Sequence, residues 1–119
     1  MIPLSASEPY RYIDPKTKQV LLLKYMVGPM GDEFMRITGE FQGLTDAALA
    51  DDPAINQKYC AKMVDLFLVG IENPDGQSAS FGSEKPTDFL RFGDVIKIGT
   101  IITELTAELT GIEVEDAKN

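Results

Sequence analysis

The chain has 119 residues with 19 acids against 11 bases, and it contains no histidine, no tryptophan and one cysteine. Those absences exclude a histidine proton relay, a zinc tetrad and an internal disulfide, and the formal net charge of −8 argues against a surface built to neutralise nucleic-acid phosphates. A chain of this length suits a single globular domain, taken as residues 1–112, that rests on its own core and acts by binding rather than by catalysis.

No apolar run approaches the roughly 20 residues of a membrane span, and residues 1–5 have neither the basic nor the apolar part of an export signal. A cytoplasmic location is expected. Charge is uneven along the chain: residues 1–24 carry a small basic excess, and acids dominate 25–52 and 93–119. Acids at helix starts and on a solvated surface account for most of this.

The first element predicted is a β-hairpin over 10–27. Tyr10-Arg11-Tyr12-Ile13 leads into Asp14-Pro15-Lys16-Thr17-Lys18, where proline presets the first corner and aspartate caps the turn, and a Val, Leu and Tyr-rich return strand follows. An isolated two-stranded ribbon is marginal in water, so its apolar face must lie on helices or on another subunit. Met30, Phe34, Ile37 and Phe41 then mark one stripe of a helix over 30–42, with Asp32 and Glu33 expected in its first turn. A short helical turn is expected between Leu44 and Ala50.

Asp52-Pro53 is a start signal, with Asp52 as N-cap and Pro53 at the first helical position. Ile55, Tyr59, Met63, Phe67 and Ile71 repeat every four residues, with Cys60, Val64 and Leu68 beside them, so the central core helix is predicted over 53–72. Asn73-Pro74-Asp75-Gly76 ends it, and a polar loop runs to Pro86. The last helix is predicted over 87–110, from the spacing of Val95, Ile98, Ile102, Leu105 and Leu109, with Gly111 as its stop. Residues 113–119 read as a flexible acidic tail. The fold class expected is α+β and mostly α, an N-terminal hairpin packed on three to four helices.

Few groups invite chemistry. Residues 73–84 have oxygen-bearing side chains at calcium-loop positions 1, 3, 5 and 12, but Ser78 stands where the loop needs glycine and Phe81 where it needs a polar group, so no metal is assigned. Asp32/Glu33, Asp51/Asp52 and Glu104/Glu108 are carboxylate pairs explained more simply by helix termini and solvated faces. Cys60 lies on the core arc with no histidine to activate it and reads as a structural thiol. No catalytic, cofactor or metal residue is therefore assigned. Phe81, Phe89 and Phe92 gather around the loop as a candidate partner-binding surface, joined by Ile112 and Val114; the competing reading packs Phe89 and Phe92 into the core at i, i+3 spacing.

The order of these elements resembles the tail assembly chaperones of long-tailed bacteriophages. The features that carry the resemblance are the Tyr10–Ile13 segment, the strand from Val20 to Met26 passing through Gly28-Pro29 into an acidic helix, the central apolar helix, the polar loop, and a last helix entering Glu113-Val114-Glu115-Asp116-Ala117-Lys118-Asn119. The resemblance implies a non-catalytic protein in the cytoplasm of an infected bacterium that binds the tape measure protein, keeps it soluble and helps recruit tail tube subunits. It also implies a frameshifted longer form, since Ala117-Lys118-Asn119 can be encoded by GCA AAA AAC, which contains a slippery heptamer. Broad apolar arcs predict association with a helical partner or with further copies of the chain, without direct nucleic-acid or membrane contact. Two alternatives are compatible with the sequence, an acidic DNA mimic that blocks a basic host protein such as a nuclease, and a small structural component of the head or tail.

Overall fold

The computed structural model describes residues 8–41 and 51–111. Strand β1 (Tyr10–Ile13) turns through Asp14–Lys18 into β2 (Val20–Leu23). Asp14 makes this turn: its carboxylate accepts the Lys16 N–H at 2.9 Å, its carbonyl accepts the Lys18 N–H at 2.8 Å, and Lys18 takes the left-handed φ of 64°. Tyr10 and Tyr12 pair with Leu23 and Leu21, which sets one apolar face of the hairpin against the helices.

Helix α1 (Gly28–Glu40) follows, with Pro29 in its first turn. It begins two residues before the predicted start, so Asp32 and Glu33 lie beyond the first turn rather than in it. Glu33 instead pairs with Arg36, whose guanidinium also meets Glu40 at 2.8 Å, and Glu40 takes Lys62 at 3.3 Å. Phe34 and Ile37 are buried and Met30 and Phe41 partly so, as the stripe predicts. The turn expected between Leu44 and Ala50 lies outside the described residues, as do Ile112, Val114 and the tail over 113–119.

Helix α2 (Pro53–Phe67) starts as expected, with the Asp52 carboxylate accepting the N–H groups of Ala54 and Ile55. It stops five residues earlier than the 53–72 prediction. Leu68–Glu72 is strand β3, joined by Asn73–Gly76 to β4 (Ser78–Ser80), so the loop expected up to Pro86 contains a strand. The four strands form one antiparallel sheet in the order β1-β2-β3-β4, and the expected two-stranded hairpin is its first half. The reason lies in periodicity: one four-residue helical step equals two strand steps, so Phe67 and Ile71 fit either conformation. Val69 and Ile71 favour a strand, and Gly70 favours one here because a side chain there would meet the Ala79 carbonyl oxygen at 2.7 Å.

The predicted 87–110 helix is also divided. A 3-10 turn at Pro86–Asp88 precedes α3 (Phe92–Glu104), and α4 (Thr106–Thr110) follows a break at Leu105. Around that break the Thr103 and Thr106 hydroxyls donate to the carbonyls four residues back, Gly99 and Ile102, a pattern that bends helices. Gly111 ends α4 with φ 76°, the left-handed stop expected of it.

The core lies between α2, α3 and the covered sheet face. Cys60, Met63, Val64 and Phe67 of α2 meet Val95, Ile98 and Ile102 of α3, and Leu21 and Leu23 close the sheet side. Gly99 sits against Cys60 at the helix crossing, where a methyl group would have no room. Two contacts fasten β1 along α3 and α4: Lys97 Nζ meets the Asp14 carboxylate at 2.9 Å, and the Tyr10 hydroxyl donates to Glu108 at 2.6 Å. The fold is α+β with a helical majority. No helix among the described residues is long and apolar enough to cross a membrane.

Candidate partner-binding surface

The chain after β3 is shaped to hold aromatic side chains at the open side of the sheet. Asn73–Gly76 is a tight turn in which Gly76 N–H donates to the Asn73 carbonyl at 3.0 Å, Gly76 takes φ 95°, and the Asp75 carboxylate accepts the Gln77 N–H. Asn73, Asp75 and Gln77, at calcium-loop positions 1, 3 and 5, thus serve a hairpin turn. Phe81 directly follows β4, its N–H donating to the Val69 carbonyl at 2.9 Å, and the residue is only 7% exposed. Gly82, at φ 56°, turns the chain away, and Glu84 N–H closes the turn on the Phe81 carbonyl.

The next segment is held onto α2 by a polar anchor. Asp65 accepts both the N–H and the hydroxyl of Thr87, at 3.2 and 2.9 Å, and Pro86 is buried beside them. With the 3-10 turn fixed in this way, Phe89 N–H bonds to the Pro86 carbonyl and the Phe89 ring stands over Phe81, 6.0 Å between centroids and tilted by 34°. Phe89 is nonetheless 61% exposed and Phe92 59% exposed, while Leu90 between them packs on the core. Between Phe89 and the sheet lies a shallow groove of about 260 Å³, walled by Ile71, Ala79, Phe81 and Leu90 with Gln19 and Gln77 at its polar end.

Of the five residues singled out from sequence, the structure brings Phe81 and Phe89 together and leaves Phe92 exposed on the first turn of α3. The reading of Phe81 as an exposed loop residue is corrected: it is core, because its N–H continues the β3–β4 pairing one residue past the strand. Packing of Phe89 and Phe92 into the core is corrected as well, since the chain is extended at Arg91, with ψ 156°, and the two rings do not share a helical face. Ile71, Ala79 and Leu90 were missed as wall residues. The one usable signal for Ile71 and Ala79 is the alternation of Val69, Ile71, Gln77, Ala79 and Phe81 about a turn-forming Asn-Pro-Asp-Gly; nothing in it marks Leu90.

Charge near the groove is acidic. Between residues 74 and 92 stand Asp75, Glu84 and Asp88 against Lys85 and Arg91, all exposed, a net charge of −1. The thiol of Cys60 is remote from this surface in the α2–α3 crossing, and burial pushes its pKa up, away from the reactive thiolate. Among the described residues no cluster of acids and cysteine has the makings of a metal site.

No family model matches the chain, and no curated protein or solved structure matches it.

Proposed function

We propose that the protein is a non-catalytic tail assembly chaperone of a long-tailed bacteriophage, which binds apolar stretches of the tape measure protein, keeps that chain soluble and helps bring tail tube subunits to it. The observation that carries this reading is the pair of phenylalanines, Phe89 and Phe92, each more than half exposed on a surface whose polypeptide is otherwise well anchored. Exposed large apolar groups rimmed by polar residues mark interaction sites. The chain's net charge of −8 keeps the free protein from indiscriminate aggregation and leaves the apolar contact reversible, as a chaperone displaced by tube polymerisation requires.

The DNA-mimic alternative draws less support. Such an inhibitor needs free carboxylates along one face, whereas Asp14, Glu33, Glu40, Glu72 and Asp94 are engaged by lysine or arginine within the chain. A structural virion component is separated from a chaperone by mass spectrometry of purified particles: the chaperone is absent from finished tails, and stoichiometric recovery in them overturns the reading. Co-expression with the tape measure protein from the same genome supplies the positive arm, in which the chaperone raises the soluble yield of that partner.

A further inference from the structure

The apolar groove borders β4, which has no further strand beside it among the described residues. Because β3 and β4 are antiparallel and Asn73 N–H and Phe81 N–H both bond across to the partner strand, the hydrogen-bonded pairs are Asn73–Gln77, Ile71–Ala79 and Val69–Phe81. The backbone groups of Ser78 and Ser80 therefore point away from β3, into solvent. Natural sheets usually protect such an edge with a charge, a proline or a bulge. At the opposite edge, β1 follows Pro9 and carries Arg11, which pairs with Glu72, and Tyr10, which is bonded to Glu108. The β4 edge reads Ser-Ala-Ser, uncharged and small, and Phe89 stands beside it.

We infer that β4 is a docking edge that takes an extended segment of another protein by adding it as a fifth, antiparallel strand, apolar at alternate positions and basic at its ends. The deduction rests on the reading of this surface as a partner-binding one and states the form in which the partner is held. The backbone donors and acceptors of Ser78 and Ser80 call for an extended chain, because a helix has already used its own. Alternation follows from the groove, which lies on the Ala79 side of the sheet and offers Phe89 and Ile71 to every second side chain of the added strand. Basic ends follow from charge, with Asp75 in the turn before β4 and Glu84 and Asp88 outnumbering Lys85 in the segment after it, all exposed.

The same charges disfavour a second copy. Antiparallel pairing of two β4 strands about Ala79 brings the Asp75 end of one against the Glu84 end of the other, and like charges facing across strands are destabilising.

The test is a titration of the isotope-labelled protein, followed by amide chemical shifts, with an acetylated and amidated nonapeptide of alternating valine and threonine bearing two lysines at each end. Shifts confined to residues 77–81 and 89–92 are expected. Binding should weaken at least tenfold when the peptide amides that face β4 are N-methylated, when glutamate replaces its lysines, and in the variant Ser80→Pro. Proline is tolerated at Ser80 because the lost N–H faces solvent, and the peptide arms read the same contact without altering the protein. Equal affinity of the N-methylated peptide, unchanged binding by Ser80→Pro, or concentration-dependent protection of the Ser78 and Ser80 amides in the peptide-free protein overturns the inference. If a tape measure fragment binds at Phe89 while N-methylation and Ser80→Pro have no effect, the strand edge fails and the chaperone reading stands; if the peptide binds as described and no tape measure fragment does, the reverse holds.

Discussion

Replacing Gly99 by alanine tests the helix crossing on which the core depends. The added methyl group would lie 2.4 Å from Cys60 Cβ, 2.7 Å from its Cα and 2.8 Å from its Sγ. Carbon atoms in contact prefer about 3.5–4.0 Å, so α2 and α3 must part by roughly 1 Å and loosen the packing of Met63, Val64, Ile98 and Ile102 along the seam. Two of the three clashes are with Cα and Cβ, which no rotamer change moves. Overpacking of this kind costs about 1–3 kcal/mol, while alanine's better helix propensity returns about 1 kcal/mol. With little scope for relaxation the cost falls at the upper end, and a net loss of about 2 kcal/mol is expected in equilibrium urea unfolding. Gly39→Ala is the control, because a methyl group there meets nothing within 4 Å; it should stabilise by about 0.5 kcal/mol. Adding Cys60→Ala to Gly99→Ala removes only the sulfur contact and should not restore stability. A Gly99→Ala protein as stable as the parent, or one rescued by Cys60→Ala, refutes the close crossing.

Phe67→Ala and Phe81→Ala should each cost about 3 kcal/mol or more through the cavities they leave, while Phe89→Ala should stay within about 0.5 kcal/mol of the parent, measured by the same unfolding assay. Equal costs at Phe81 and Phe89 would mean that the groove is wrongly built. The Asp14 carboxylate is held down to about 2, first by its bond to Lys97 and then by the Lys16 N–H. A carboxylate whose folded pKa is depressed adds stability above its unfolded value near about 4, and that stability is lost as the pH falls from there towards 2. Asp14→Asn should therefore unfold at lower urea than the parent at pH 6, with the gap closing towards pH 2; a gap independent of pH would show that the ion pair adds nothing.

Much of the scaffold is legible in the sequence. The Asp-Pro turn, the Asp52 cap, the Gly111 stop and the buried arc of Cys60, Met63, Val64 and Phe67 each follow from one local rule with no strong competitor. The second half of the sheet is not legible in the same way, because Phe67 and Ile71 satisfy the helical and the strand period together. What decides between them is remote: β2 needs a second neighbour, and Gly70 allows the Ala79 carbonyl to come close. The candidate surface inherits that error. With residues 77–81 read as loop, Phe81 looks exposed and Phe89 looks like core, whereas the hairpin buries the first and the Thr87–Asp65 anchor holds the second at the surface.

If the protein holds a tape measure segment against the Phe89 and Phe92 surface, purified protein should bind a soluble tape measure fragment in isothermal titration calorimetry. The double variant Phe89→Ser, Phe92→Ser should keep the parental unfolding midpoint and lose at least tenfold in affinity, with the parent showing the negative heat-capacity change of apolar burial. Binding that is absent in the parent, or undiminished in the double variant, would show that this surface does not hold the tape measure protein.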